Sequence, residues 1–171
     1  MKCICGFLIP DGGSITVNGK RVGKDVDFPP GLGLIIETPG FLPNMTGVKN
    51  LEILASLNKK IGLEQIATAI RRVGLDPLMK KPVGKYSLGM RQRLGIAQAI
   101  MENPSLLILD EPLNGLDKHG VMEMRQLIKG LKEQGKTILL ASHNQGDIDE
   151  LCDTVCEMDA GVMTMIREES I

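Results

Sequence analysis

Four consecutive aliphatic residues, Leu106-Leu107-Ile108-Leu109, run directly into two acids, Asp110 and Glu111, and then Pro112. A short run that is apolar at every position, not at every second one, is a strand covered on both faces, and such strands belong to parallel sheets buried between helices. In open α/β sheets, ligands bind beyond the carboxyl ends of the strands. Acids at that end therefore need a chemical reason. Mg²⁺ takes one or two carboxylates together with phosphate oxygens and water, which suits Asp110, and a second acid can polarise an attacking water, which suits Glu111. The plainer alternative is a strand closed by a solvated acidic turn. A second apolar run, 138–141, ends in Ser142-His143. If the two strands are parallel neighbours, His143 emerges at the same edge as Asp110, near a terminal phosphate.

The surrounding pattern supports such a sheet. Ser14-Ile15-Thr16-Val17 alternates polar and apolar and meets Asn18-Gly19, a pair suited to the positive φ of a hairpin turn. A short strand is expected at 33–36, ended by Thr38-Pro39-Gly40. Apolar residues at helical spacing predict helices over 48–57 and 63–73, and a third capped by Ser87 and running to about Met101, where Asn103-Pro104 stops it. The strand at 106–109 is followed by a helix over 118–133, a strand over 137–141, a short helix over 145–151, and strands over 154–158 and 162–166. Strands separated by crossover helices favour a parallel α/β sheet whose two central strands are apolar on both sides.

A chain of 171 residues with 43% hydrophobic residues can bury one core. Twenty basic and twenty-one acidic residues leave a net charge of −1, with no basic footprint for nucleic acid or an anionic membrane surface. No apolar run approaches the ~20 residues that span a bilayer, and residues 1–10 are too short and Gly/Pro-broken for a signal peptide, so a cytoplasmic chain is expected. Cys3, Cys5, Cys152 and Cys156 match zinc spacings poorly and are expected as reduced thiols.

Residues 130–137, Gly-Leu-Lys-Glu-Gln-Gly-Lys-Thr, satisfy the phosphate-loop pattern G-x-x-x-x-G-K-[ST]. The match fails on context. Such a loop follows a strand and opens a helix, whereas Gly130 lies inside a helical pattern and Thr137 opens a strand, so a helix-to-strand turn stopped by Gly135 is expected. Ser87 and Gly89, at a helix start, could face an anion, although an ordinary N-cap accounts for them equally well.

As an ordered set these motifs resemble the ATP-binding-cassette (ABC) ATPases over essentially all 171 residues. Tyr86-Ser87-Leu88-Gly89-Met90-Arg91-Gln92-Arg93 is similar to the family signature Leu-Ser-Gly-Gly-Gln-x-Gln-Arg, keeping Ser87, Gly89, Gln92 and Arg93 and departing at Tyr86, Leu88 and Met90. The 106–110 strand resembles the Walker B strand, Glu111 the catalytic glutamate, 113–117 the D-loop with Asp117, and His143 the switch histidine. Glu37 stands where most members carry a Q-loop glutamine that contacts Mg²⁺ and senses the membrane partner. With this signature, it resembles the branch serving peptide-antibiotic (lantibiotic-type) and drug export or immunity transporters.

The resemblance implies an ABC-type P-loop NTPase core with a small helical subdomain: a residual β-rich segment over 1–40, a helical subdomain with the signature helix over 41–101, and an α/β core over 102–171. It implies Asp110 and Glu37 at Mg²⁺, Glu111 and His143 in catalysis, and Ser87, Gly89, Glu37 and Asp117 at ATP. The partners implied are a membrane-spanning transporter subunit and a second ATPase subunit in a head-to-tail dimer at the inner face of the cell membrane. Family members place a strand pair, an adenine-stacking aromatic and the Walker A loop before the segment that begins here at Met1, so an N-terminally truncated domain with little or no ATP hydrolysis on its own is expected. The alternatives are a catalytically inactive interaction or regulatory protein of the same fold, a soluble ATPase of DNA repair or translation, and a fragment without independent function.

Overall fold

The structure, a computed structural model, describes residues 1–37 and 39–168. Thr38, expected to help end the early strand, lies outside the described residues. Three parallel strands, β3 (Leu32–Ile35), β4 (Leu106–Asp110) and β5 (Thr137–Ala141), form a sheet in the order β3-β4-β5. The expected α/β architecture with a parallel sheet is present. Register pairs Ile35 with Leu109 on one side and Asp110 with Ala141 on the other, so all three strands end on one edge.

The central strand β4 is as buried as its composition requires, with Leu107, Ile108 and Leu109 at most 1% exposed. The edge strand β5 departs from expectation. Its Thr137 and Leu139, which share one face of the strand, are exposed, Leu139 by 38%, so that face is not covered as the face of a central strand would be. Apolar composition alone does not distinguish a strand covered on both faces from one covered on a single face. The early strand is also shifted by one residue, ending at Ile35.

Helices α1 (Gly47–Asn58), α2 (Leu63–Arg72) and α3 (Leu88–Ile100) pack in succession, and α3 lies on β3. Leu51, Ile66, Leu94, Leu107 and Met124 all belong to one buried cluster. Helix α4 (Lys118–Glu133) buries Met124, Ile128 and Leu131, one face at helical spacing, and packs on α5 (Gln145–Leu151). The expected turn at 130–137 is present: α4 ends at Glu133, Gly135 has a φ of 78°, and Thr137 opens β5.

Two hairpins stand apart from this sheet. In the first, β1 (Thr16–Val17) pairs with β2 (Lys20–Arg21) across Asn18-Gly19, both at positive φ, as the sequence predicts. In the second, β6 (Thr154–Asp159) pairs antiparallel with β7 (Val162–Glu168) across Ala160-Gly161, at φ 44° and 82°. A two-residue connection cannot carry a parallel crossover, so these last strands form their own ribbon. Among the described residues, no helix is long and apolar enough to cross a membrane.

Close approach of α3 to the sheet depends on Gly33. A Cβ there would lie 2.0 Å from the Ala99 carbonyl oxygen and 2.9 Å from Leu107 Cδ2, so the helix backbone would have to move. Gly33→Ala is expected to cost about 1–3 kcal/mol, the usual penalty for overpacking. The check is a denaturant titration in which the midpoint falls while the slope is unchanged.

Candidate active site

Because Asp110 pairs with Ala141, the residues that follow the two strands leave the sheet together. Glu111 N–H donates to the Ala141 carbonyl at 2.9 Å, extending the ladder by one residue. The chain then turns sharply, with Glu111 at a φ of 47° and its carbonyl accepting from Asn114 N–H. A non-glycine residue in the left-handed region is strained, and surrounding contacts must hold it there.

Two contacts do so. On the inner side, the buried Gln92 of α3 donates through Nε2 to the carbonyls of Glu111, at 3.0 Å, and Pro112, at 2.9 Å. On the outer side, Glu111 Oε1 accepts from His143 N–H at 2.9 Å and lies 2.7 Å from His143 Nδ1. A proton on Nδ1 makes this second contact a hydrogen bond. The imidazole is 79% exposed, and Glu111 and His143 line an open groove of about 220 Å³ together with Leu113, Asn114, Gly115 and Leu116.

Asp110 is half-buried at the end of β4, and Glu37 stands two residues beyond Ile35, at the end of the adjacent strand. Lys2 Nζ donates to Glu37 Oε1 at 2.5 Å. That ammonium holds the Glu37 carboxyl below the usual carboxylate range, first by the hydrogen bond and then by its charge. Glu37, and more weakly Asp110, in turn push the Lys2 ammonium up. A cation is thus drawn to the negative corner between the ends of β3 and β4. The donors are carboxylate oxygens, which suit a hard ion such as Mg²⁺. Among the described residues, no group of three or more His, Cys, Asp and Glu converges to hold a metal. An ion at this corner would therefore have to complete its shell from phosphate and water.

The remaining expected site residues lie around the groove, not in its lining. Ser87 caps α3, its hydroxyl accepting from Met90 N–H at 3.2 Å. Gly89 abuts the 113–117 loop, where a Cβ would come within 3.2 Å of the Gly115 carbonyl. Asp117 caps α4 through Gly120 N–H at 2.8 Å. The signature end of α3 therefore touches the loop whose Gly115 and Leu116 line the groove.

Sequence reasoning does not foresee the contacts of three polar residues. Gln92 is legible as a residue shared with the family signature but not as a donor to the Glu111 and Pro112 carbonyls, while Asp147 and Arg125 look like ordinary surface charges. Asp147 is 5% exposed and takes both Nε and Nη2 of Arg125 on one oxygen, at 2.9 and 2.5 Å.

The family model described as ABC transporter matches residues 1–114. The uncharacterized ABC transporter ATP-binding protein YybJ of Bacillus subtilis is 42% identical over 161 residues, which cover 94% of this chain and 74% of YybJ. The bacitracin transport ATP-binding protein BcrA of Enterococcus faecalis is 41% identical over 163 residues, covering 94% of this chain and 53% of BcrA. The lantibiotic transport ATP-binding protein SrtF of Streptococcus pyogenes is 35% identical over 171 residues, covering 98% of this chain and 72% of SrtF. The chain thus spans about half the length of BcrA and nearly three quarters of YybJ and SrtF. On the matched residues and on these identities, the chain belongs to the ABC transporter family of ATP-binding proteins.

Proposed function

We propose that this chain is the ATP-binding component of a transporter that moves a peptide antibiotic or drug out of the cell or confers immunity to it, with MgATP hydrolysis at the Glu111–His143 edge. The observation that carries the reading is the contact of Glu111 Oε1 with both His143 N–H and Nδ1, beside Asp110 at the ends of parallel strands. The names of BcrA and SrtF, which are transport ATP-binding proteins for bacitracin and a lantibiotic, support the choice of cargo.

Asp110 and Glu37 would hold Mg²⁺, which when bound offsets negative charge on the phosphates. Glu111 keeps its second oxygen, Oε2, free of His143 and can orient a water and accept its proton. His143, anchored by Nδ1, presents its exposed edge to a terminal phosphate. Ser87, Gly89 and Asp117 would meet the nucleotide of a second subunit packed head to tail. In this reading residues 41–101 form a helical subdomain that docks a membrane-spanning subunit, and that partner holds the protein at the inner face of the membrane.

The test is metal dependence. In a form of the chain extended at its N-terminus by a strand and a Gly-x-x-x-x-Gly-Lys-Ser/Thr loop, Asp110→Ala should raise the Mg²⁺ concentration needed for half-maximal phosphate release at least tenfold. An unchanged Mg²⁺ requirement would count against the assignment.

A further inference from the structure

The loop that carries His143 is short and exposed, so burial does not hold the ring in place. Ser142-His143-Asn144 joins β5 to α5, and the imidazole touches the rest of the protein through Glu111. Something must fix the backbone on either side of it. Ser142 Oγ accepts Asn144 N–H at 3.1 Å and donates to Asp147 Oδ2 at 3.3 Å. Asn144 Oδ1 in turn accepts Gly146 N–H at 2.9 Å and Asp147 N–H at 3.3 Å, capping α5.

Behind Ser142 lies a charge pair that the proposed chemistry does not use. Arg125, on α4, places Nε and Nη2 on Asp147 Oδ1 and Nη1 on Glu150 at 2.7 Å. The Asp147 carboxylate beside it, together with Glu150, holds the Arg125 proton more tightly than usual. Burying such a pair is costly, and packed apolar side chains would join α4 to α5 at least as well. Arg125 occupies one oxygen of Asp147 and leaves the other directed at the Ser142 hydroxyl. The pair therefore does more than join two helices, since it orients an acceptor toward the His143 loop.

We propose that Arg125 and Asp147 are positioning residues that act through Ser142, holding the 142–144 loop so that His143 meets Glu111. The inference rests on reading Glu111 and His143 as the working pair of the site. Arg125 lies on α4, whose cap, Asp117, ends the loop that lines the groove, so the brace ties that loop's helix to the histidine loop.

The chain has two histidines, and His119, which is exposed and 3.3 Å from Glu123, serves as an internal control. The experiment records the ring Cε1–H signals of both by NMR at fixed pH in the 171-residue chain. Glu111→Gln should displace the His143 signal and leave His119 in place. In an Asp147→Asn or Ser142→Ala background the same Glu111→Gln change should displace it by less than half as much, and Ser142→Thr, which keeps the hydroxyl, should restore the full displacement. Should Asp147→Asn fail to fold, the Ser142→Ala and Ser142→Thr pair decides the matter. The proposal is overturned if Glu111→Gln leaves His143 unmoved, if its effect survives intact in the Ser142→Ala background, or if His119 shifts alongside His143. Loss of the coupling without any Glu111-dependent hydrolysis in the extended form would support the positioning role and count against the nucleotide reading alone.

Discussion

Glu111→Gln, in a form extended by the phosphate loop, is expected to lower the rate of phosphate release at saturating MgATP by about 10²–10⁴-fold, the range for removing a positioned general base. Nucleotide affinity should change little. An amide oxygen can still accept His143 N–H, and Gln92 and Asn114 still hold the backbone of the turn. What is lost is the basic oxygen that takes a proton from water. An interaction made only in the transition state lowers kcat and kcat/KM together. Hydrolysis in the extended form that ignores Glu111→Gln would refute the role of the acid.

How much of this was legible depends on whether the information is local. Strand β4 announces itself because burial on both faces leaves no polar position before Asp110, and Ser142-His143 can be placed beside it once two parallel strands are assumed adjacent. Helix α4 and strand β5 are bounded by local chemistry, an Asp117 cap at one end and Gly135 at the other, so their limits are readable to the residue. The exposure of β5 is a different kind of fact. It depends on what packs over each face of the strand, which a run of Ile138, Leu139 and Leu140 cannot encode. The hairpin of β6 and β7 is encoded by the two-residue spacing at Ala160-Gly161, but Ala is a poor advertisement for positive φ. The positioning groups are least legible of all: Gln92 reaches carbonyls 19 and 20 residues away, and Arg125 reaches a carboxylate 22 away. Nothing in local spacing connects them.

Gln92→Ala is expected to lower stability by about 2–4 kcal/mol and to impair hydrolysis in the extended form as well. The Glu111 carbonyl keeps a second donor, Asn114 N–H, but Pro112 is fully buried and its carbonyl loses the Gln92 amide. An unpaired buried acceptor costs roughly 1–3 kcal/mol, and each buried methylene removed adds about 0.8 kcal/mol. Gln92→Glu separates the hydrogen bond from the packing. A carboxylate offers two acceptors to two carbonyl acceptors, so the buried side chain must be protonated to donate, and desolvation raises its folded pKa further. The folded state then binds more protons than the unfolded state, so stability falls as pH rises through the unfolded carboxyl value toward the folded one. Urea midpoints for Gln92→Glu should therefore approach those of the parent at low pH and drop toward neutrality, measured relative to the parent at each pH to remove the background of the other acids. A pH-independent difference would mean that the side chain reaches water in the folded state, and that the link from α3 to the Glu111 turn is not the buried one drawn by Gln92 Nε2.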